Sequence, residues 1–241
     1  MARLARLCIP GHPHHVILRA APGVVLFRAS DDYRQFLHCL REAAQRSQVA
    51  VHSYLLMPDR VQLLVTPAAQ ASMGQAIQSL GRRYVRWFNG RYGRRGSLWE
   101  GRYRSSLVEA AQYLLDCSVY IETIPAREGL VSEASSYPWS SLRHHLGLVT
   151  EPLITDHPIV WALGNTPFER QSAYRRLAEH PLEPERVERL EWASKRGWAV
   201  GSADFLSELG AVCGRPLSPR ARGRKRITTS STPTLKLPHR H

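Results

Sequence analysis

Arg60 and Gln62 stand two residues apart in an apolar run that follows a turn at Pro58 and Asp59. Because side chains two positions apart on a β-strand point to the same face, Arg60 and Gln62 project side by side from one predicted strand. Two neighbouring polar side chains on a stiff strand can hold one shared ligand. Two histidines in this arrangement would bind a metal ion, whereas a guanidinium can bind a phosphate group through two hydrogen bonds.

A stretch rich in arginine and aromatic residues follows, between positions 82 and 104. It contains eight arginines against a single acidic residue, Glu100, with tyrosines and tryptophans between them. Arginines that follow a phosphate backbone and rings that stack on bases are typical of nucleic-acid binding. The alternative is a solvated helix face whose aromatic rings belong to the core. The predicted DNA-binding side chains of this stretch are Arg82, Arg83, Arg86, Trp87, Trp99, Arg102 and Arg104.

A second basic cluster lies near the end of the chain. Residues 215–226 contain six basic residues and no acid, and the remainder is rich in Ser, Thr and Pro. Such a composition cannot bury enough apolar surface to fold, so residues 215–241 are predicted to be a disordered basic tail. The most basic part of this tail either contacts a DNA groove or only makes the chain more soluble. Its side chains are Arg222, Arg224, Lys225 and Arg226.

Composition and charge limit the class of protein. The formal net charge of +13 over 241 residues favours a polyanionic partner such as nucleic acid. The hydrophobic share of 43% is typical of a globular chain. The four cysteines are scattered without metal-binding spacing, and no apolar stretch approaches the roughly 18 residues of a membrane-spanning helix. We therefore expect a cytoplasmic protein with no membrane partner.

The side-chain patterns alternate between the periods of strands and helices. Strands are predicted at residues 14–19, 49–57, 60–66 and 100–108, and residues 24–27 form either a short strand or a buried loop. Helices are predicted at residues 31–47, 72–90, 110–121, 167–179, 183–196 and 203–213. This order indicates an α+β fold in which helices pack on an antiparallel sheet. The predicted domains are residues 1–147 and a small helical domain at residues 148–214, followed by the tail.

Five short motifs occur in order within residues 1–147. They are Leu56-Met57-Pro58 before a hairpin strand, Leu98-Trp99-Glu100-Gly101-Arg102-Tyr103, Tyr120-Ile121-Glu122 before Pro125, Gly129-Leu130-Val131, and Tyr137-Pro138-Trp139-Ser140-Ser141. Together they resemble the single-tyrosine transposases of the insertion-sequence-200 type, and within them the branch of REP-associated tyrosine transposases. The later helical region and the basic tail resemble the extension of longer members.

This resemblance implies the ferredoxin-like fold of the HUH superfamily and an enzyme that cuts and rejoins single-stranded DNA beside an imperfect hairpin. Tyr120 stands at the nucleophile position, where attack on a phosphodiester would form a 5′-phosphotyrosyl link. In an intact family member, two histidines hold Mg²⁺ or Mn²⁺, which stabilises the leaving oxygen. Single-stranded or hairpin DNA is the implied partner, and a homodimer is implied because family members often act as dimers.

The metal-binding positions of the family are changed in this sequence. The two histidine positions fall on Arg60 and Gln62, and a third polar ligand position falls on Ile124. An arginine repels a cation, a glutamine offers only a weak carbonyl oxygen, and an isoleucine offers no donor. No metal cofactor is therefore expected.

Three interpretations follow from these changes. The first is a DNA-binding protein of the transposase family whose catalysis is lost or reduced. The second is an active metal-dependent transposase, and the third is a non-catalytic regulator that binds nucleic acid.

Overall fold

The computed structural model describes residues 7–219. The strands are β1 His14–Arg19, β2 Val49–Met57, β3 Arg60–Pro67 and β4 Arg104–Leu107. The helices are α1 Ser30–Arg46, α2 Ser72–Arg91, α3 Ala110–Glu122, α4 Ile124–Arg127, α5 Leu142–His145, α6 Pro158–Trp161, α7 Pro167–Glu179, α8 Pro184–Arg196 and α9 Ala203–Cys213. The predicted α+β fold is confirmed.

The four strands form one antiparallel sheet in the order β2-β3-β1-β4. The hairpin of β2 and β3 turns at Pro58 and Asp59, as the sequence predicts. Its strands are apolar over most of their length because helices cover both faces of the sheet. Position 62 of β3 pairs with position 17 of β1, and position 60 pairs with position 19. This register determines which polar side chains meet at the candidate site.

Each face of the sheet has its own core. On one face, Val16 and Leu63 pack with Phe36 of α1 and Tyr84 of α2. On the other face, Leu64 belongs to a cluster that includes side chains of α3. Successive side chains of a strand point to opposite faces, so neighbouring residues such as Leu63 and Leu64 belong to different cores. The predicted site residues Arg60 and Gln62 share the face of Leu64, which α3 covers.

Strand β4 is shorter than predicted. The sequence predicts a strand at residues 100–108, but residues 100–103 form an irregular loop in which Gly101 has a φ of +71°. Only glycine adopts this conformation at little cost, so the strand cannot continue through it. The loop is nevertheless fixed to the end of β1, because the Glu100 N–H donates a 2.9 Å hydrogen bond to the Arg19 carbonyl oxygen. Residues 24–27 form a loop and no strand, in which Leu26 and Phe27 are buried whereas Val25 is exposed.

The C-terminal helices are continuous with the first part of the structure. Val160 of α6 and Leu190 of α8 are buried in the cluster that contains Leu55 and Tyr120. Tyr174 of α7 is buried in a cluster with side chains from the first 147 residues. Within the described residues, every buried cluster with C-terminal members therefore also has members from before residue 148. The predicted boundary at residue 147 does not separate two cores.

The start of the predicted tail is packed. Leu217 is buried beside Leu107 and Ala199, and its carbonyl oxygen accepts a 3.0 Å hydrogen bond from the Ala199 N–H. The folded structure thus extends past the predicted boundary at residue 214, because the Leu217 side chain packs against Leu107 of the edge strand β4. The predicted DNA contacts Arg222, Arg224, Lys225 and Arg226 lie outside the described residues. Among residues 7–219, no helix is long and apolar enough to cross a membrane.

Candidate functional site

The predicted nucleophile position and the three predicted ligand positions line one pocket of about 400 Å³. Tyr120 of α3 faces the sheet there, together with Arg60 and Gln62 of β3 and Ile124 of α4. Sequence analysis assigned Arg104 to the DNA-binding stretch, but the structure places it in this pocket. The other lining residues are Ile17, Arg19, Arg127, Glu128, Glu191, Ser194 and Lys195. Three of these come from α8, so this C-terminal helix forms one wall of the pocket.

Tyr120 is a buried and protonated phenol. Its side chain is only 7% exposed, and the Arg127 guanidinium lies 4.4 Å from the centre of its ring. Burial, reinforced by Glu191, raises the pKa of Tyr120 to about 12, although Arg127 acts in the opposite direction. At neutral pH the phenolate population is therefore roughly 100-fold smaller than for an ordinary tyrosine. This arrangement does not activate the oxygen as a nucleophile.

Arg60 is held by two carboxylates. Its guanidinium pairs with Asp59 at 2.9 Å and with Glu128 of the segment after α4. Burial alone would lower the pKa of Arg60, but the hydrogen bonds with Glu128 and Asp59 raise it above its ordinary value. The side chain is therefore a fixed cation at this end of β3.

Gln62 is bonded to a histidine that sequence analysis did not include in the site. The Nε2 atom of His15 donates a 2.7 Å hydrogen bond to the Gln62 Oε1 atom, and both side chains are buried. Burial lowers the pKa of His15 to about 4, so the ring is neutral at physiological pH. The His15 ring also meets the Tyr120 ring edge-on at 6.1 Å. Because neighbours on a strand face opposite ways, His14 points elsewhere, and its Nδ1 atom bonds to the His12 carbonyl oxygen at 2.8 Å.

The pocket side chains do not suit a divalent cation. Arg60 carries a positive charge, the Gln62 oxygen already accepts a hydrogen bond, and Ile124 has no donor atom. No group of three His, Cys, Asp or Glu side chains suited to a metal ion occurs in the described part of the chain. The residues at this site therefore do not fit the metal that the family resemblance implies.

A second cavity of about 910 Å³ runs between α2 and the loop at residues 96–103. We call it the α2 groove. It contains four of the predicted DNA-binding residues, Arg82, Arg86, Trp99 and Arg102. None of the three arginines forms an ion pair with a described residue. Arg19 lines both the α2 groove and the Tyr120 pocket, so the two cavities meet at the end of β1.

Besides Arg104, two predicted DNA-binding residues of this stretch, Arg83 and Trp87, lie outside the α2 groove. Arg83 is paired with Glu42 of α1, and Trp87 packs on Tyr84 with its ring centre 6.0 Å away. Residues 82 and 86 are one helical turn apart, as are 83 and 87, so α2 presents these two pairs on different sides. The alternative considered from the sequence, a helix face with core aromatics, applies to Arg83 and Trp87.

Residues 10–123 match the family model described as transposase, IS200 like. This part of the chain belongs to the IS200-like transposase family. Among solved structures, the chain is similar to a REP-associated tyrosine transposase bound to a REP hairpin, with a TM-score of 0.53 and 13% identity over 65% of this chain and 92% of that chain. That likeness concerns the fold.

A transposase structure from Deinococcus radiodurans R1 matches at 17% identity over 48% of this chain and 93% of that chain. Its TM-score of 0.35 supports no structural argument. A search of curated proteins found no significant match. The predicted transposase family is confirmed.

In this transposase fold, the motif at residues 137–141 connects the edge strand β2 to α3, the helix that carries Tyr120. The Tyr137 hydroxyl donates a 2.8 Å hydrogen bond to the Leu56 carbonyl oxygen, and the Tyr54 N–H donates to the Ser141 Oγ atom at 2.8 Å. Ser141 also bonds to the buried carboxylate of Glu122, two residues after Tyr120. The motif therefore has a structural role that keeps α3 on the sheet.

Proposed function

We propose that this IS200-like transposase relative binds single-stranded or hairpin DNA and has lost, or strongly reduced, strand cleavage. The observation that carries the DNA-binding part is the set of unpaired arginines in the α2 groove, beside Trp99. Arginines without carboxylate partners are free to contact phosphates, and a half-buried indole offers a surface for a base. The similar REP-associated transposase is bound to a REP hairpin in its solved structure, which supports the same class of partner.

The loss of cleavage rests on the side chains around Tyr120. The three positions expected to bind metal hold Arg60, Gln62 and Ile124, and the first two already have protein partners. The raised pKa of Tyr120 makes deprotonation of its oxygen harder than in an ordinary tyrosine. Binding depends on charge and stacking alone, so it can persist where the nucleophile is inactive.

The binding proposal is tested by a matched pair of variants on one helix. Arg82→Gln removes a charge from the α2 groove, whereas Arg83→Gln removes the neighbouring charge that is paired with Glu42. We expect Arg82→Gln to weaken binding of a labelled hairpin or single strand several-fold and to lower the slope of log Kd against log salt by about 0.7. Arg83→Gln should bind as the unaltered protein does. Equal affinities for all three proteins would contradict the groove assignment.

The same fluorescence anisotropy assay distinguishes DNA from RNA. Unlabelled single-stranded DNA, hairpin DNA, duplex DNA and structured RNA compete for the protein at equal nucleotide concentration. We expect hairpin and single-stranded DNA to compete best. Preference for structured RNA would instead support the non-catalytic RNA-binding regulator.

The catalytic part of the proposal is tested on a denaturing gel. The protein is incubated with labelled hairpin DNA and Mg²⁺ or Mn²⁺, and Tyr120→Phe serves as the control. We expect no covalent protein–DNA band. A band that disappears in Tyr120→Phe would show a working nucleophile and overturn the proposed loss of activity.

A variant with restored metal ligands tests whether cleavage is absent only because these ligands are missing. Arg60→His, Gln62→His and Ile124→Asn are combined in one chain, and Mn²⁺ binding is measured by electron paramagnetic resonance. We expect Mn²⁺ binding in the triple variant and none in the unaltered protein. If the variant binds Mn²⁺ but gives no Tyr120-dependent nicking, other parts of the site have also been lost.

A further inference from the structure

Three arginines form a row across one face of the sheet. Arg19 of β1 lies directly opposite Arg60 of β3, and Arg104 of β4 pairs with Ile17, which shares the face of Arg19. All three arginines line the Tyr120 pocket. Like charges that lie directly opposite each other destabilise a sheet. The row therefore requires neighbouring anions.

The protein supplies carboxylates for only one member of the row. Arg60 is paired with Asp59 and Glu128. Arg19 and Arg104 are exposed, and neither forms an ion pair or a side-chain hydrogen bond with a described residue. Their charges remain uncompensated at the mouth of the pocket. This distribution differs from a solvated surface, where alternating charges usually reduce repulsion.

The remaining charged residues of the pocket do not cancel this excess. Lys195 of α8 is paired with Glu191 at 2.9 Å, which leaves little net charge on that wall. Arg127 lies on the Tyr120 ring and donates a 2.7 Å hydrogen bond to the Tyr120 carbonyl oxygen, without a carboxylate partner among the described residues. Arg127 thus adds a third uncompensated cation to the pocket.

We propose that Arg19 and Arg104, beside the carboxylate-paired Arg60, form a binding site for a phosphate group that works without a metal ion. Guanidinium groups bind the oxygens of a phosphate in a forked geometry and keep their charge at all physiological pH values. The inference rests on the proposed function in one respect: a DNA strand that follows the α2 groove reaches this site at Arg19, which lines both cavities. A fixed guanidinium row holds the strand beside Tyr120 and supplies no activated leaving oxygen.

The connection between groove and pocket is rigid. The Ala21 N–H donates a 2.8 Å hydrogen bond to the Leu98 carbonyl oxygen, and the Glu100 N–H donates to the carbonyl oxygen of Arg19. These bonds fix the Trp99 loop to the strand end from which Arg19 projects. A base at Trp99 and a phosphate at Arg19 are therefore held by one stiff element.

The test uses the full chain with Arg19→Gln and Arg104→Gln combined, in buffer with EDTA. Arg46→Gln, an exposed arginine at the end of α1 on the other side of the sheet, is the matched control. We expect the double variant to bind labelled single-stranded DNA at least about tenfold more weakly and to lose roughly 0.7 to 1.4 from the log–log salt slope. Arg46→Gln should match the unaltered protein, and Mg²⁺ in place of EDTA should not strengthen binding.

A second measurement needs no DNA. Pyrophosphate, without metal, should raise the melting temperature of the unaltered protein and of Arg46→Gln by about 3 °C at saturating concentration, but not that of the double variant. Removal of repelling charges should itself leave the double variant at least as stable as the unaltered protein, so weaker binding would not reflect misfolding.

The two measurements separate the possible results. If the unaltered protein binds no DNA, the proposed function fails, and a pyrophosphate shift that depends on Arg19 and Arg104 still supports a phosphate site. A change in salt slope without a pyrophosphate shift supports a site for phosphodiesters within a strand. A double variant that keeps both the salt slope of the unaltered protein and its response to pyrophosphate overturns the inference.

Discussion

The Nε2 atom of His15 lies 2.7 Å from the Gln62 side-chain oxygen, and the other ring nitrogen of His15 is buried without a partner. This bond joins β1 and β3 beneath Tyr120. It also occupies one of the two lone pairs on the only side-chain oxygen of Gln62. The hydrogen bond between His15 and Gln62 thus helps to hold the folded structure together, and removing one partner should lower the stability of the protein.

Gln62→Leu should lower the free energy of unfolding by about 1–3 kcal/mol, because it leaves the Nε2 donor of His15 buried and unpaired. The measurement is urea denaturation followed by circular dichroism. The double variant His15→Phe with Gln62→Leu removes both polar partners and should recover part of this loss. A single variant as stable as the unaltered protein would show that His15 finds another partner or water.

Acid should destabilise the protein between pH 6.5 and pH 4. Burial lowers the pKa of His14, His15 and His52 to about 4 in the folded protein. The unfolded chain, in which a histidine has a pKa of about 6.5, binds protons in this range that the folded chain does not. The stability from the neutral rings is therefore complete above pH 6.5 and lost as the pH falls towards 4.

This pH dependence can be assigned to single residues. Each buried histidine contributes a slope of up to about 1.4 kcal/mol per pH unit to the free energy of unfolding. His52→Gln should flatten the curve by up to that amount, whereas a substitution of the exposed His38, His38→Gln, should leave it unchanged. Urea midpoints at pH 7, 6 and 5 provide the comparison, and equal slopes for all three proteins would contradict the assignment.

Glu122 joins the Tyr120 helix to the C-terminal helices. Its buried carboxylate accepts a 2.7 Å hydrogen bond from the Tyr174 hydroxyl of α7 and a 2.8 Å hydrogen bond from His145. Burial alone would lower the pKa of His145, but Glu122 raises it above its ordinary value. Glu122→Gln should therefore cost about 3–5 kcal/mol, because it removes the nearer counter-charge of the buried His145 and leaves only Asp156, 3.8 Å away.

The control for Glu122→Gln is Glu42→Gln. Glu42 is paired with Arg83 near the surface, where such pairs contribute about 0–1 kcal/mol. Urea denaturation of both variants at pH 7 makes the comparison. Similar losses in the two variants would show that the buried Glu122 contributes no more to stability than the surface Glu42.

Much of the fold follows from the sequence because apolar periodicity is a local signal. The hairpin and α1, α2 and α3 lie within one or two residues of their predicted bounds. Strand β4 was predicted too long because its composition suits a strand, whereas the backbone at Gly101 does not. The shared core of the two predicted domains could not be foreseen, since the contacts of Leu190 and Val160 join distant parts of the chain.

The candidate site was predicted only in part. The family motifs brought together Tyr120, Arg60, Gln62 and Ile124, but they did not identify His15 or Arg19. The strand period places these two on the same face of β1, so the assumption that β1 pairs with β3 would have suggested them. The contribution of α8 depends on long-range packing and has no local signal. The separation of Arg82 from Arg83 could have been predicted from the helical period alone.

The last prediction separates stacking from charge in the α2 groove. A side chain at Gly81 would project towards Trp99, because a Cβ atom there would lie 3.5 Å from the Trp99 Nε1 atom. Gly81→Ala makes only an ordinary contact and should raise stability by up to about 1 kcal/mol, since alanine favours the helix. Gly81→Leu extends into the groove beside Trp99 and blocks the indole.

We expect Gly81→Leu to bind single-stranded DNA about tenfold more weakly, which corresponds to the loss of one stacked base. Its salt slope should equal that of the unaltered protein, because no charge has changed. Gly81→Ala should bind normally and thereby exclude an effect of the helix backbone. Fluorescence anisotropy at several salt concentrations measures both quantities. Normal affinity in Gly81→Leu would place the bases elsewhere and leave the arginines of the α2 groove as contacts to phosphate only.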